Sequence, residues 1–251
     1  MSSSAGALPG IVRVAATPPA LADEAASWLA RRSEEARFEH GYFAIALSGG
    51  ATPRGLYQRL TEPPYREGIA WATWMVFYAD ERAVPPDSEQ SNHHLAQHTL
   101  LRHVPIPPER VHRIEADKTD REQAAREYAS LLADTLPRGP GGAPRLHCAL
   151  LGLGENGHTA SLFPGSPALQ AQRRWAVPAE ADYEPRARIT LTLPALNAAE
   201  SVVFLVTGAT KGPPLRGVVE GTVPAALVRP ADGLLLWLLD AEAAAAMADA
   251  R

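Results

Sequence analysis

The chain of 251 residues is poor in features that would commit it to several kinds of chemistry. Cysteine occurs once, at Cys148, so no intramolecular disulfide and no cysteine-rich zinc site can form within it. That usage fits a reducing compartment. No run approaches the roughly 18 apolar residues of a membrane span, and the opening MSSSAGALPG lacks a basic signal-peptide region, so a soluble cytoplasmic protein without a membrane partner is expected. Basic blocks are missing too. With 24 basic against 28 acidic residues and a net charge of -4, the chain lacks the footprint of a nucleic-acid binder, and an anionic ligand needs a local cationic pocket. There is no internal repeat, no low-complexity boundary and no evident obligate protein partner. The 19 glycines and 23 prolines stay below the roughly 25 to 30% that marks disorder. One domain covering residues 1–251 is expected.

What the chain does contain is a repeated alternation of apolar runs and helical patterns. Ile11 to Ala16 alternates as a strand and precedes an alanine-rich helix from Ala20 to Arg37; Phe43 to Leu47, Trp74 to Tyr78, Cys148 to Leu151, Ser201 to Val206 and Leu234 to Leu239 read as buried strands. Helices are expected after Pro53, after Asn92, over Asp120 to Leu136, after Lys211 and from Ala241. Ala225 to Val228 reads as a further strand. Trp175 to Pro178 and Arg188 to Leu193 read as short strands in a small antiparallel addition. Strand-then-helix order implies an α/β fold, an open and mostly parallel Rossmann-like sheet with helices on both faces.

The residues with chemistry cluster where strands end. The run Cys148 to Leu151 feeds Gly152-Leu153-Gly154-Glu155-Asn156-Gly157-His158, a glycine-rich loop carrying an imidazole, and Thr159 to Leu162 would open a helical turn. At the carboxyl end of a parallel strand such a loop faces the ligand crevice, so His158 is the first catalytic candidate; a glycine turn with an exposed histidine is the plainer alternative. After Leu47 comes Ser48-Gly49-Gly50-Ala51-Thr52-Pro53. Its glycines clear the way for backbone amides just ahead of a helix, which suits an anion, with Ser48 and Thr52 as added donors. That loop is neither a Walker loop nor a dinucleotide fingerprint. Asp80-Glu81-Arg82 follows the third strand; Asp80 would orient a hydroxyl or a base, and Arg82 would hold an anion through its planar fork. Arg188 opens its strand, and Lys211 ends Thr207-Gly208-Ala209-Thr210-Lys211; each suits a phosphate or a plain surface charge. Ser91 or Asn92 is expected to cap the next helix. His94 and His98 share a helix face, but no HExxH accompanies them, and no metal is expected.

Taken together, SGGATP (Ser48 to Pro53), DERAVP (Asp80 to Pro85) with Ser91-Asn92, GLGENGHTASLFPG (Gly152 to Gly165), RITLT (Arg188 to Thr192) and TGATK (Thr207 to Lys211) resemble the 6-phosphogluconolactonases nearly end to end. The resemblance implies hydrolysis of 6-phospho-D-glucono-1,5-lactone to 6-phosphogluconate in the oxidative pentose phosphate pathway, with no cofactor and no metal. It implies His158 as the base that activates water. Ser48, Gly49, Gly50, Thr52, Arg188 and Lys211 would take the phosphate, and Asp80 and Arg82 would lie over the sugar ring. The fold implied is similar to that of glucosamine-6-phosphate deaminases and ribose-5-phosphate isomerases.

Two departures stand out. Asn156 occupies a position where many members have Asp, so either Asn156 only orients a group or Glu155 supplies the charge. Pro213-Pro214 follows Lys211 where helix formers are usual. Ser161 lacks a nucleophile elbow and reads as structural. Two other functions remain open at this stage. A sugar-phosphate isomerase or deaminase on the same scaffold would need a Glu that Leu162-Phe163-Pro164 does not supply. A non-catalytic sugar-phosphate sensor would need a partner-binding extension, for which the termini leave no room.

Overall fold

A computed structural model describes residues 7–249; the first six residues of the stretch read above for a signal lie outside that range. Its strands are β1 (Ile11–Ala15), β2 (Phe43–Leu47), β3 (Trp74–Tyr78), β4 (Asp80–Arg82), β5 (Cys148–Gly152), β6 (Ala176–Glu180), β7 (Ala187–Leu191), β8 (Ser201–Val206) and β9 (Leu234–Asp240). The helices are α1 (Pro18–His40), α2 (Ala51–Leu60), α3 (Tyr65–Gly68), α4 (Asn92–Thr99), α5 (Arg121–Thr135), α6 (Leu193–Asn197), α7 (Gly212–Glu220) and α8 (Ala241–Asp249).

Six strands form one parallel sheet in the order β1-β9-β8-β5-β2-β3. β2, β5 and β8 are buried or nearly so along their whole length, because strands covered on both faces need apolar side chains at every position. Right-handed crossovers send the β1–β2 and β2–β3 connections to one face and the β5–β8 and β8–β9 connections to the other. Accordingly α1 packs on α2, and α7 on α8. The chain leaves β2 toward β3 and leaves β5 in the opposite direction, so these neighbours make the topological switch point, where a crevice opens at the carboxyl ends.

Local signals explain the borders. Thr17 caps α1 by accepting from the Ala20 amide at 3.3 Å, and Gly41 ends it in the left-handed region at φ 83°. Ser91, rather than Asn92, caps α4, accepting from the His94 amide at 3.1 Å. Pro213 and Pro214 sit in the first turn of α7, where a missing donor costs little.

The small addition is a three-stranded antiparallel sheet, β4-β7-β6. It contains one strand more than expected, because Asp80 to Arg82 pairs with Thr190 to Arg188 instead of ending as a loop. Two other expectations are corrected. Ala225 to Val228 is no strand; Pro224–Leu227 is a 3₁₀ turn, and the Ala225 amide donates to the Gly157 carbonyl at 3.0 Å. Thr159 to Leu162 is no helix either. Those two residues close a tight turn in which Ala160 has φ 47°, and Ser161 spends its amide on the Thr190 hydroxyl at 3.1 Å and its own hydroxyl on Asp80 at 2.6 Å. Tertiary partners outbid a helix too short to hold itself.

Asp240, fully buried at the end of β9, joins the sheet to the loop before α7. Its carboxylate accepts from the Gly208 amide at 3.0 Å and caps α8 through the Ala243 amide at 2.8 Å. Asp240→Ala is expected to lower stability by about 2 kcal/mol, since a buried and a part-buried amide lose their acceptor. Urea unfolding of the variant against the parent protein measures it, with an unchanged midpoint as the contrary result.

Candidate active site

A cavity of about 320 Å³ opens over the carboxyl ends of the parallel strands, lined by Ser48, Gly49, Gly50 and Thr52 after β2, by Asp80 and Arg82 of β4, by Gly152 at the end of β5 with Gly154 and His158 after it, and by Lys211 beyond β8. The two sides of the switch point are tied together where the Ser48 hydroxyl donates to the Leu150 carbonyl at 2.7 Å. Thr52 and Thr207 share a hydroxyl hydrogen bond of 2.7 Å across the same mouth. Arg188 does not line this cavity. It is 2% exposed and stands directly opposite Arg82 across the β4–β7 pair, so both side chains lie on one face of the small sheet.

His158 is held by its neighbours in sequence and by glycine. A β-carbon on Gly154 would lie 2.0 Å from His158 Nδ1, so this close approach demands glycine there. Asn156 Oδ1 accepts from the His158 amide at 3.2 Å and sits 2.5 Å from His158 Nδ1. Because that amide can only donate, the atom facing it is the oxygen of Asn156, and Nδ1 must carry the ring proton. The neutral ring therefore keeps its lone pair on Nε2. Phe163 packs on the imidazole with centroids 4.5 Å apart. Burial lowers the His158 pKa, Arg188 and Lys211 lower it further, and Asp80 and Asp182 oppose them. Glu155 is exposed and does not line the cavity. The GLGENG spacing also matches a dinucleotide fingerprint, but no helix begins after it to receive a pyrophosphate.

Asp80 is buried, and each of its carboxylate oxygens has a donor: Asn92 Nδ2 at 3.0 Å and Ser161 Oγ at 2.6 Å. Asn92 also presses on Gly49, where a β-carbon would fall 1.9 Å from Asn92 Oδ1. Glu81 points elsewhere. Its carboxylate accepts from the Arg82, Asn92 and His93 amides at 2.8 Å each and from the Ser91 hydroxyl at 3.0 Å, closing the start of α4. Burial raises the Glu81 pKa against the pull of those donors. Sequence reasoning put Asp80 at the site and gave Glu81 no role, and strand alternation is consistent with the two acids facing opposite sides. It read Ser161 as structural and Asn92 as a possible cap without finding their bonds to Asp80, and it gave Asp240 no role.

Arg82 and Lys211 line the cavity, Arg188 stands beside Arg82, and none of the three has an ion pair among the described residues. Arg82 donates to the Gln90 carbonyl at 2.5 Å, Lys211 is half-buried, and Arg188 makes no side-chain hydrogen bond. Burial lowers the Arg188 pKa, with Arg82 adding to that effect and Asp80 opposing it. Such a set attracts an anion with several acceptor oxygens.

Among the described residues, the one grouping with metal-ligand spacing is His40, His147 and Glu200, outside this cavity. The two rings stack at 5.0 Å, His147 Nδ1 already accepts from the Ala44 amide at 2.9 Å, and Glu200 pairs with Arg32 and Arg145. Stacked rings cannot aim their in-plane lone pairs at one ion. His94 and His98 also stack, at 3.9 Å, and His98 spends its nitrogens on the His94 carbonyl and Arg102.

Residues 16–237 match the family described as glucosamine-6-phosphate isomerases/6-phosphogluconolactonase. The 6-phosphogluconolactonase of Nostoc sp. is 40% identical over 212 residues, covering 82% of this chain and 85% of its own. That of Rattus norvegicus is 37% identical over 242 residues, covering 94% and 93%. The structure of 6-phosphogluconolactonase from Trypanosoma brucei superposes with a TM-score of 0.84 at 29% identity, over 95% of this chain and 99% of that one. A match over most of the chain, in sequence and in fold, makes this protein a member of the glucosamine-6-phosphate isomerase/6-phosphogluconolactonase family.

Proposed function

We propose that the chain hydrolyses 6-phospho-D-glucono-1,5-lactone to 6-phosphogluconate, with His158 as general base. The observation that carries this reading is the Asn156–His158 contact, which leaves Nε2 unprotonated in a cavity bordered by cations. A lactone carbonyl is already electrophilic, so its hydrolysis needs an activated water and a place for negative charge. Water adds its oxygen to the carbonyl carbon and gives a proton to Nε2. As the tetrahedral intermediate collapses, the ring C–O bond breaks, and the leaving oxygen takes that proton back. Arg82 stabilises the developing oxyanion, and Asp80, held by Asn92 and Ser161, accepts from sugar hydroxyls. Three cations against one carboxylate leave a surplus of two positive charges, which suits a phosphate carrying about two negative charges at neutral pH. Gly49, Gly50 and Thr52 add donors beside Lys211 and Arg188; Ser48, expected to add another, instead commits its hydroxyl to the Leu150 carbonyl and its amide to the Tyr57 hydroxyl. The names of the family relatives at 37 to 40% identity support the same substrate.

His158→Gln is expected to lower kcat by about 10²- to 10⁴-fold, the usual value of general-base help. Binding of 6-phosphogluconate, followed by calorimetry, should survive; a folded variant turning over near the parental rate would move the base elsewhere.

The pH dependence follows from the same environment. A base works only when neutral, so activity falls as pH drops through its pKa. Since burial and nearby cations lower that pKa, the acid limb of kcat/KM should lie below about 6.5, the ordinary histidine value. Bound phosphate offsets the charges of Lys211 and Arg188, so the acid limb of kcat should lie at higher pH than that of kcat/KM. Initial rates measured across pH 4 to 8 compare the two limbs, and coincident limbs would separate the phosphate from these cations.

Lys211→Ala should raise KM more than it lowers kcat, because phosphate binding is largely common to ground and transition states. An unchanged KM would take Lys211 out of the site.

A further inference from the structure

The least conventional partner in the cleft belongs to Arg188. The residue as a whole is 2% exposed, and Nε is fully buried, yet the guanidinium has neither an ion pair nor a side-chain hydrogen bond among the described residues. A buried charge without compensation is costly. What the guanidinium does have is an aromatic face: its carbon lies 5.4 Å from the ring centroid of Tyr183. Tyr183 sits in the turn between β6 and β7, closed by the Ala181 amide on the Arg186 carbonyl at 2.8 Å. Asp182 and Glu184 flank it in sequence, and neither forms an ion pair with Arg188.

We propose that Tyr183 is a positioning residue for substrate binding, holding the Arg188 guanidinium toward the cleft while leaving its donors free for the substrate's phosphate. This rests on the function proposed above. The physical reason lies in how a ring holds a cation. A carboxylate from the same turn would neutralise Arg188 by taking its N–H groups, and a phosphate would then have to displace it. The π-face of tyrosine stabilises the charge through its quadrupole and takes no hydrogen bond. A planar guanidinium stabilised in this way keeps its fork for two phosphate oxygens. The position is consistent, because Arg188 shares a sheet face with Arg82, which lines the cavity, and its charge is felt at His158.

Tyr183 also has few other duties. It is 47% exposed, so a core role does not explain an aromatic residue there. Its other aromatic neighbour is Phe163, met edge-on with centroids 6.1 Å apart, and Phe163 in turn packs on His158. Tyr183 thereby closes an aromatic row running from the base to the cation. The ring is the operative part, since its hydroxyl makes no hydrogen bond among the described residues.

The test compares Tyr183→Leu and Tyr183→Phe in the full chain. Lactone kinetics and calorimetric binding of 6-phosphogluconate and of inorganic phosphate are the readouts. Tyr183→Leu should raise KM and both dissociation constants by about 3- to 30-fold, the range a partly desolvated cation–π contact gives, with kcat within about two-fold. Tyr183→Phe should stay within about two-fold of the parent in every constant. In an Arg188→Met background the leucine substitution should have no further effect on binding, which a general loosening of the turn would not reproduce. Unchanged affinity in Tyr183→Leu, equal losses in the Phe and Leu variants, or a full additional loss in the Arg188→Met background each overturns the proposal. If the parent protein does not hydrolyse the lactone, the proposed function fails; phosphate binding still reads the Tyr183–Arg188 pair independently.

Discussion

The Asp80 carboxylate is the contact on which the rest of the site depends. Three chain segments meet there: β4, which carries it; α4, which sends Asn92; and the turn after His158, which sends Ser161. All three residues are buried, so each hydrogen bond acts in a low dielectric, and the loss of either donor would leave part of a charge unsatisfied. That requirement fixes the distance between the strand bearing Arg82 and the loop bearing His158. It also explains why Gly49 must be small, since Asn92 fills the space a side chain would take.

The electrostatics of the cleft oppose those of the whole molecule. The chain is acidic overall, at net charge -4, and several peripheral arginines are neutralised locally, as Arg37 is by Glu34 and Arg113 by Asp117. Arg82, Arg188 and Lys211 are treated differently: a carbonyl oxygen and an aromatic ring attend the first two, and no ion pair attends any of them. Cations left without a carboxylate partner around one cavity stay available to an anionic ligand. Burial, with Arg188 and Lys211, lowers the His158 pKa against the pull of Asp80, so two of these charges that would attract an anion also favour the neutral imidazole.

Much of the fold was legible because buried parallel strands need unbroken apolar runs. FAIAL, CALLG, SVVFLV and LLLWLLD are such runs, and each lies within a strand of the sheet. Caps were legible for a similar local reason, as at Ser91. Segments whose structure is decided by distant partners were not. Ala225 to Val228 has apolar residues suited to a strand, but the Ala225 amide goes to the Gly157 carbonyl, and the segment buttresses that loop instead. Thr159 to Leu162 carries helix-compatible residues, yet Thr190 and Asp80 claim Ser161 and hold the turn open.

The sequence alone determined the α/β alternation, the glycine loops and the residues that would meet at strand ends, because side-chain period, steric freedom and strand order are local or nearly local properties. Only the tertiary structure decided that Glu81 closes the start of a helix, that Asn156 rather than Glu155 contacts His158, and that Arg188 stands beside Arg82 on an aromatic ring. Those outcomes depend on cross-strand register and on hydrogen-bond partners as many as 81 positions apart in the chain, as with Ser161 and Asp80. Direction and distance of that kind arise when strands pair and loops close, and no window of neighbouring residues contains them.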